Sequence, residues 1–175
     1  MGKRLRSDGI ISLRPWSEAD VDEMVACLDG EEEISRWLEL IPQPYTAEDA
    51  RAFLSRTDET TFAVVDAADG GVLGGIGLKW NEAHDVAEIG YWARVEARGR
   101  GVTTRALRLA SDLAFEEGAA RVQLRADVEN VASRRVAEKA GFTAEGVLRE
   151  AHWNARLGRR QSWVMYSVLP GELKT

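Results

Sequence analysis

The amino-acid sequence predicts an α+β fold, in which one mixed β-sheet carries helices on both faces. Short segments that alternate apolar and polar side chains are separated by Gly, Pro and Asn from longer segments with helical periodicity. The segments follow the order β-α-α-α-β-β-β-α-β-α-β-β. The chain has 175 residues, of which 45% are hydrophobic, so it can bury one core, and a single domain over residues 1–175 is predicted.

The first third of the chain predicts one strand followed by three helices. Residues 1–8 are basic and lack the apolar stretch of a secretory signal, which predicts a flexible N-terminal arm. The alternation from Ile10 to Arg14 predicts a strand that Pro15 ends. Apolar spacing, acidic first turns and capping patterns then predict helices over residues 18–28, 31–40 and 46–54.

From residue 60 the hydrophobic period changes to that of strands. Turns rich in Gly, Asp and Asn separate strands predicted over residues 61–66, 72–80 and 86–93. Helical periodicity returns after Gly99 and Gly101 and ends near Gly118. The order closes with a strand over 121–127, a helix over 132–140, and two strands over 142–153 and 160–169.

Composition and charge exclude several classes of function. The chain has 23 Lys and Arg against 29 Asp and Glu, a formal net charge of −6, which argues against a nucleic-acid partner because basic residues bind phosphate backbones. Cys27 is the single cysteine and cannot form an internal disulfide, which fits a reducing compartment. No apolar segment approaches the ~20 residues of a membrane-spanning helix. These features predict a cytoplasmic protein without a membrane partner.

The strongest local motif is Arg98-Gly99-Arg100-Gly101-Val102-Thr103-Thr104, placed between a predicted strand and an amphipathic helix. Glycines let a backbone approach an anion closely, and the first N–H groups of a helix point at whatever lies before it. The motif predicts a phosphate or pyrophosphate site. A turn with two solvated arginines is an equally good interpretation of the spacing alone.

Other phosphate and metal motifs are excluded by their own requirements. No Gly-Lys-Ser/Thr triplet is present, and the dinucleotide fingerprint would need a third glycine at Thr104. His84 and Asp85 lie in a predicted turn, with no second histidine at ligand spacing, so no metal site is predicted.

Five blocks of sequence, taken together, resemble the GCN5-related N-acetyltransferase (GNAT) superfamily, and within it the RimJ/RimL-type group of ribosomal-protein N-terminal acetyltransferases. The blocks follow the order of the family and span nearly the whole chain. They are residues 11–16 (Ile-Ser-Leu-Arg-Pro-Trp), 87–92 (Ala-Glu-Ile-Gly-Tyr-Trp), 98–107, 130–142 from Asn-Val-Ala-Ser to Ala-Gly-Phe, and 145–149 (Glu-Gly-Val-Leu-Arg).

This resemblance implies transfer of an acetyl group from acetyl-CoA to a primary amine by direct attack in a ternary complex. It also implies a mostly antiparallel sheet in which the strands at 86–93 and 121–127 splay apart and admit the pantetheine arm. Thr103 departs from the family pattern, which has Gly or Ala there. The implied cofactor-binding residues are Tyr91, Trp92, Ala93, Val95, Arg98, Gly99, Arg100, Gly101, Val102, Thr103, Thr104, Asn130 and Ser133.

The resemblance also implies catalytic residues. Ser133 corresponds to the acid that protonates the departing thiolate, and Asn130 to a contact with the pantetheine arm. The residues alone favour a different interpretation, in which Asn130 caps a helix and Ser133 lies in its first turn. Two residues compete as the base for the amine, Glu88 on the strand before the loop and His152 near the end of a late strand, and Tyr91 is a further possible acid.

The acceptor is expected between the early helices and the late hairpin. A protein or peptide N-terminal α-amine is the first hypothesis, and the acidic residues Glu31, Glu32, Glu33 and Glu39 would attract a cationic amine or form a solvated face. The alternatives are a small amine (polyamine, amino acid or antibiotic), a longer acyl donor, and a non-catalytic acyl-CoA-binding module. A homodimer is implied by resemblance. The expected lining residues are Trp37, Tyr45, Trp80, Trp153 and Asn154.

Overall fold

The computed structural model describes residues 5–173 and contains eight strands and five helices within that range. The strands are β1 (Arg6–Ser7), β2 (Ile11–Arg14), β3 (Thr60–Asp66), β4 (Val72–Asn81), β5 (Val86–Ala93), β6 (Arg121–Asp127), β7 (Thr143–Asn154) and β8 (Arg159–Val168). The helices are α1 (Val21–Leu28), α2 (Glu32–Trp37), α3 (Ala47–Leu54), α4 (Val102–Glu116) and α5 (Val131–Ala140). The predicted fold class is confirmed.

The strands form one sheet in the order β1-β2-β3-β4-β5-β6-β8-β7. Every neighbouring pair is antiparallel except β5 and β6, which are parallel. Their pairing starts at Val86↔Arg121 and ends at Glu88↔Gln123, although both strands continue. The predicted splay between these strands is therefore present, and it begins after Glu88.

The two faces of the sheet carry separate apolar cores. On one face, α4 packs Val102, Ala106 and Leu107 into the main core, and Tyr91 of β5 packs against it. Trp92 follows Tyr91 in the strand and so points to the opposite face. There it packs against the core formed by α1 and α3. Helices thus cover both faces, as the sequence predicts.

The sheet brings β4 and β5 unusually close together near Gly74 and Gly75. A Cβ atom at Gly74 would lie 2.3 Å from the Trp92 carbonyl oxygen, and one at Gly75 would lie 2.6 Å from Trp92 Nε1. Trp92 in turn stacks on Trp16, with ring centroids 6.2 Å apart. The glycines of β4 therefore allow the indole of Trp92 to lie flat on the sheet.

Two elements differ from the sequence prediction. Within the predicted flexible arm, Arg6 and Ser7 form β1 and pair with β2, while residues 1–4 lie outside the described residues. The second helix ends at Trp37 rather than at residue 40, because Leu38 leaves the helical conformation (φ −113°, ψ 75°). Leu40 is 88% exposed, so a further turn would bury little apolar surface.

We expect Gly74→Ala to destabilise the protein, because the added methyl group collides with the backbone of β5. Overpacking of this kind costs about 1–3 kcal/mol. Gly90→Ala is the matched control, because Gly90 also lies in a strand but a Cβ there meets no atom within 4 Å. Urea denaturation measures both variants, and equal midpoints would contradict the close approach of β4 and β5.

Candidate active site

The gap between β5 and β6 has unpaired backbone on both sides. Beyond Glu88, β5 remains paired with β4 as far as Gly74↔Ala93, and β6 remains paired with β8 as far as Asp127↔Trp163. Each strand is thus held only on its outer edge. Backbone N–H and C=O groups require partners, so the inner edges suit an extended ligand that carries amide groups.

The predicted loop forms the N-terminal end of α4. Gly99 and Gly101 have φ angles of +73° and +77°, in the left-handed region that favours glycine. Gly101 is the N-cap, and no atom lies within 4 Å of a Cβ built at either glycine. The first N–H to bond back into the helix is that of Arg105, which donates to the Gly101 carbonyl at 3.1 Å. The N–H groups before it have the geometry of an anion site.

A narrow crevice joins this loop to β5. Thr103 and Val102 of α4 line it together with Tyr91 and Trp92 of β5. The residue at which the chain departs from the family pattern thus lies where the start of α4 packs against β5. Tyr91, Trp92, Val102 and Thr103 were all predicted, and the structure brings them together.

The two arginines of the loop have different surroundings. Arg98 forms ion pairs with Glu33 at 2.6 Å and with Glu31 at 3.3 Å. Arg100 is exposed, and within residues 5–173 it forms no ion pair. Two glutamates of the acidic cluster therefore lie beside the loop and balance one of its charges, so they are not arranged to attract an amine.

Asn130 and Ser133 lie at the start of α5, across the gap from β5. The Asn130 Oδ1 atom accepts a hydrogen bond from the Ser133 N–H at 3.0 Å, so Asn130 does cap the helix. The Tyr91 hydroxyl lies 2.9 Å from Ser133 Oγ and 3.3 Å from the Ser133 carbonyl oxygen. Burial raises the pKa of Tyr91 to about 12, so this hydroxyl keeps its proton at neutral pH.

Glu88 bridges β5 and β6 at the point where their pairing ends. Its Oε1 atom accepts from Arg125 Nε at 2.9 Å and also from Arg125 Nη2, and its Oε2 atom accepts from Gln123 Nε2 at 3.0 Å. Both carboxylate oxygens therefore already have protein donors. The arrangement closes the inner end of the gap on the face opposite Tyr91.

His152 lies on the same face as Glu88 but makes a different contact. Its Nε2 atom is 2.6 Å from Glu39 Oε2, and its ring stacks on Trp163 with centroids 4.8 Å apart. The guanidinium of Arg125 also packs over the Trp163 ring, at 4.6 Å from its centroid. Trp163 thus connects the surroundings of the two predicted bases. Neither Arg125 nor Trp163 was among the residues predicted from the sequence.

Three of the five residues expected to line the acceptor site have other roles. Tyr45 is 5% exposed in the core of α1 and α3, and its hydroxyl donates to Met24 Sδ at 3.4 Å. Trp80 packs against the core on the α4 face. Asn154 is 1% exposed. Residue type alone does not reveal which face or depth a side chain occupies, and a lining role for these three residues stays a prediction.

The other two expected lining residues are accessible. Trp37 ends α2, where the guanidinium of Arg36 lies 4.7 Å from its ring centroid. Trp153 is 54% exposed, but it follows His152 in β7 and so points to the opposite face of the sheet. Asn154 lies on the same face as His152 by this alternation but is buried, whereas Trp37 is half-exposed.

A buried polar chain links the late hairpin to the turn before α5. Asn154 Nδ2 donates to Gln161 Oε1 at 3.0 Å, and Gln161 Nε2 donates to Asp127 Oδ2 at 2.7 Å. The Asp127 carboxylate also accepts from the Glu129 N–H at 2.8 Å, and its carbonyl from the Asn130 N–H at 2.9 Å. Hydrogen bonds in a low-dielectric interior are costly to break, so this series of hydrogen bonds fixes the position of Asn130.

Two kinds of feature are absent from residues 5–173. Nowhere in that range do three or more His, Cys, Asp or Glu side chains gather in a way that would hold a metal ion. None of its helices has the length and apolar character needed to cross a membrane.

Comparison with known proteins agrees with this geometry. The chain is 29% identical over 171 residues to a Bacillus subtilis (strain 168) protein named "Putative ribosomal N-acetyltransferase YdaF", covering 93% of this chain and 92% of the relative. A GCN5-related N-acetyltransferase from Brucella melitensis superposes with a TM-score of 0.83 at 28% identity, over 98% of this chain and 81% of that one.

A third comparison concerns the fold alone. Mycobacterium smegmatis RimJ, solved in complex with CoA-disulfide, superposes with a TM-score of 0.81 at 21% identity, over 98% of this chain and 88% of that one.

The family model of the acetyltransferase (GNAT) domain matches residues 11–143, which run from β2 to the start of β7. The chain therefore belongs to the GNAT acetyltransferase family.

Proposed function

We propose that the protein transfers the acetyl group of acetyl-CoA to the α-amine at the N-terminus of a protein or peptide, by direct attack in a ternary complex. One observation carries this proposal. Within residues 5–173, backbone N–H and C=O groups lack partners at the inner edges of β5 and β6, and N–H groups lack partners at the N-terminal end of α4, which follows β5 in the chain. One ligand with a diphosphate and an amide-bearing arm would satisfy both.

The residues present fit coenzyme A. The N–H groups at the start of α4 would hold the pyrophosphate, with Arg100 free to add a full charge. Backbone groups from Tyr91 to Val95 would pair with the amides of the pantetheine arm, as an added strand does. The Asn130 side chain uses its oxygen to cap α5, which leaves its NH₂ group available to the arm.

When bound, acetyl-CoA supplies an activated acyl carbon. A backbone N–H of β5 would stabilise negative charge on the carbonyl oxygen during attack. The Tyr91 hydroxyl, which keeps its proton, is placed to donate to Ser133 Oγ. The Ser133 proton is then free to pass to the departing sulfur, so we assign Ser133 as the acid and Tyr91 as the residue that orients it.

The acceptor would enter from the face that carries Glu88 and His152, between α2 and the β7–β8 hairpin. Two observations favour a protein or peptide amine. A relative that covers most of the chain is named as a ribosomal N-acetyltransferase. The polar side chains on this face come from four separate elements and could contact an extended substrate. We place this activity in the cytoplasm, and the homodimer stays a prediction.

A thiol-release assay with acetyl-CoA tests the proposed reaction. A panel of N-terminal peptides is compared with polyamines, free amino acids and an aminoglycoside. Release of coenzyme A with peptides, and acetylation of the α-amine by mass spectrometry, are expected. Turnover only with small amines would contradict the acceptor class, and binding of acetyl-CoA with no turnover on any acceptor would favour a binding module.

We expect Gly101→Asp to weaken coenzyme A binding at least about tenfold, a loss of about 1.4 kcal/mol, because a carboxylate would face the pyrophosphate. Isothermal titration calorimetry measures the change. Gly70→Asp is the matched control, because Gly70 has a similar φ of +78° and equally open surroundings, in the β3–β4 turn. Equal affinities in both variants would overturn the assignment of the loop.

A further inference from the structure

We infer that His152 removes the proton from the acceptor amine and that Glu39 positions its ring for this step. The inference rests on the proposed function, because it assigns the base for that same reaction. It chooses between the two residues that sequence analysis left open, and it adds Glu39, which was noticed only as part of an acidic cluster.

The contact between Glu39 and His152 is long-range and held from both sides. The two residues are 113 positions apart, and Glu39 Oε2 lies 2.6 Å from His152 Nε2. Glu39 belongs to the segment after α2, which Arg156 of the β7–β8 hairpin fastens by donating to the carbonyl oxygens of Ser35 at 2.8 Å and Ile41 at 2.9 Å. The carboxylate is therefore presented by a fixed loop.

This contact determines which ring nitrogen can act. A carboxylate accepts hydrogen bonds, so the neutral His152 ring donates its Nε2 proton to Glu39 and keeps a lone pair on Nδ1. Stacking on Trp163, with ring planes 21° apart, fixes the orientation of the imidazole. A histidine oriented by a carboxylate is the arrangement by which enzymes prepare a general base and stabilise the imidazolium that forms.

The charges around His152 come from several elements. Glu39 lies on the α2 side, and Arg156 of the hairpin donates to the Glu39 carbonyl at 3.4 Å. Arg160 of β8 is paired with Trp153, on the opposite face, and donates to the carbonyl of Glu150 on β7 at 3.0 Å. Arg125 of β6 lies across the Trp163 ring. Glu39 is in direct contact with the imidazole, so its charge acts on the imidazolium most strongly.

Glu88 is less suited to this role. Arg125 and Gln123 donate to its two oxygens, and the pair with Arg125 spans the end of the β5–β6 pairing. A base at this position would first have to leave those donors. We assign Glu88 as a bridge that holds the inner end of the gap and the guanidinium of Arg125.

The step balances in protons and electrons. An ammonium acceptor transfers one proton to His152 Nδ1, and the freed lone pair forms the C–N bond as the C–S bond breaks. The sulfur leaves with the bonding pair and takes a proton from Ser133. The nitrogen loses its second proton as the amide forms, which restores the Ser133 hydroxyl through solvent, and the imidazolium returns its proton to water.

Steady-state kinetics of His152→Gln against pH tests the base. The wild-type rate is expected to fall at acid pH, because a protonated base cannot accept the proton of the amine. In His152→Gln the kcat falls about 100-fold at neutral pH, within the range for a lost general base, and the acid limb disappears. The KM for acetyl-CoA stays within about twofold, since the cofactor residues are untouched. His152→Asn serves as a second variant.

His84→Gln is the matched control, because His84 is the other histidine of the chain and lies exposed in the β4–β5 turn. It should leave the rate and the pH profile unchanged. The inference would be overturned if the rate of both His152 variants still fell at acid pH, or if this fall were lost in Glu88→Gln instead.

Glu39→Gln tests the positioning role. A loss in kcat of about tenfold is expected, while Glu39→Gln/His152→Gln should be no slower than His152→Gln alone, because residues that act as a unit lose activity non-additively. Glu32→Gln on α2 is the exposed control. Additive losses would assign Glu39 a merely structural role. If wild-type protein binds acetyl-CoA but acetylates no amine, the proposed function itself fails. If wild-type protein acetylates amines and the His152 and Glu39 variants are as active, the function stands and the inference fails.

Discussion

The end of the β5–β6 pairing after Glu88 is the constraint on which the site depends. Two parallel strands that stayed paired would satisfy their own backbone groups and leave no room for a ligand. Here β5 follows β4 to Ala93 and β6 follows β8 to Asp127, so the strands diverge while each keeps one partner. On its paired side, β5 packs closely against β4, where Trp92 lies against Gly75 and stacks on Trp16.

The two faces of the sheet divide the chemistry. On the α4 and α5 face, Tyr91 reaches Ser133 across the gap, beside the glycine loop that begins α4. On the other face, Glu88, Arg125, Trp163 and His152 form a continuous polar surface that ends at Glu39. The buried link from Asn154 through Gln161 to Asp127 connects the second surface to the turn that places Asn130. In the proposed reaction, the acyl donor and the amine would approach the gap from opposite faces of the sheet.

Much of the fold could be predicted from the residues, and less of the site. Alternation and helical spacing place every strand from β2 to β8 and all five helices within a few residues, since those periods follow from burial on one face. The glycine loop was visible because φ angles above zero favour glycine. The burial of Tyr45 and Asn154 was not visible in the sequence, because burial depends on neighbours far along the chain. The pairing of Glu39 with His152 left no local signal for the same reason, and the splay followed only from family resemblance.

Amide hydrogen exchange with and without coenzyme A measures most directly whether the gap receives a ligand as an added strand. Within residues 89–95, exchange should slow at the N–H groups that point into the gap when coenzyme A is added, because only these gain partners. The Arg94 N–H already donates to the Leu73 carbonyl and should not change. The paired segment 86–88 and strands β2 and β3 should be unaffected. Binding of coenzyme A that leaves exchange of residues 89–95 unchanged would contradict the role of the gap.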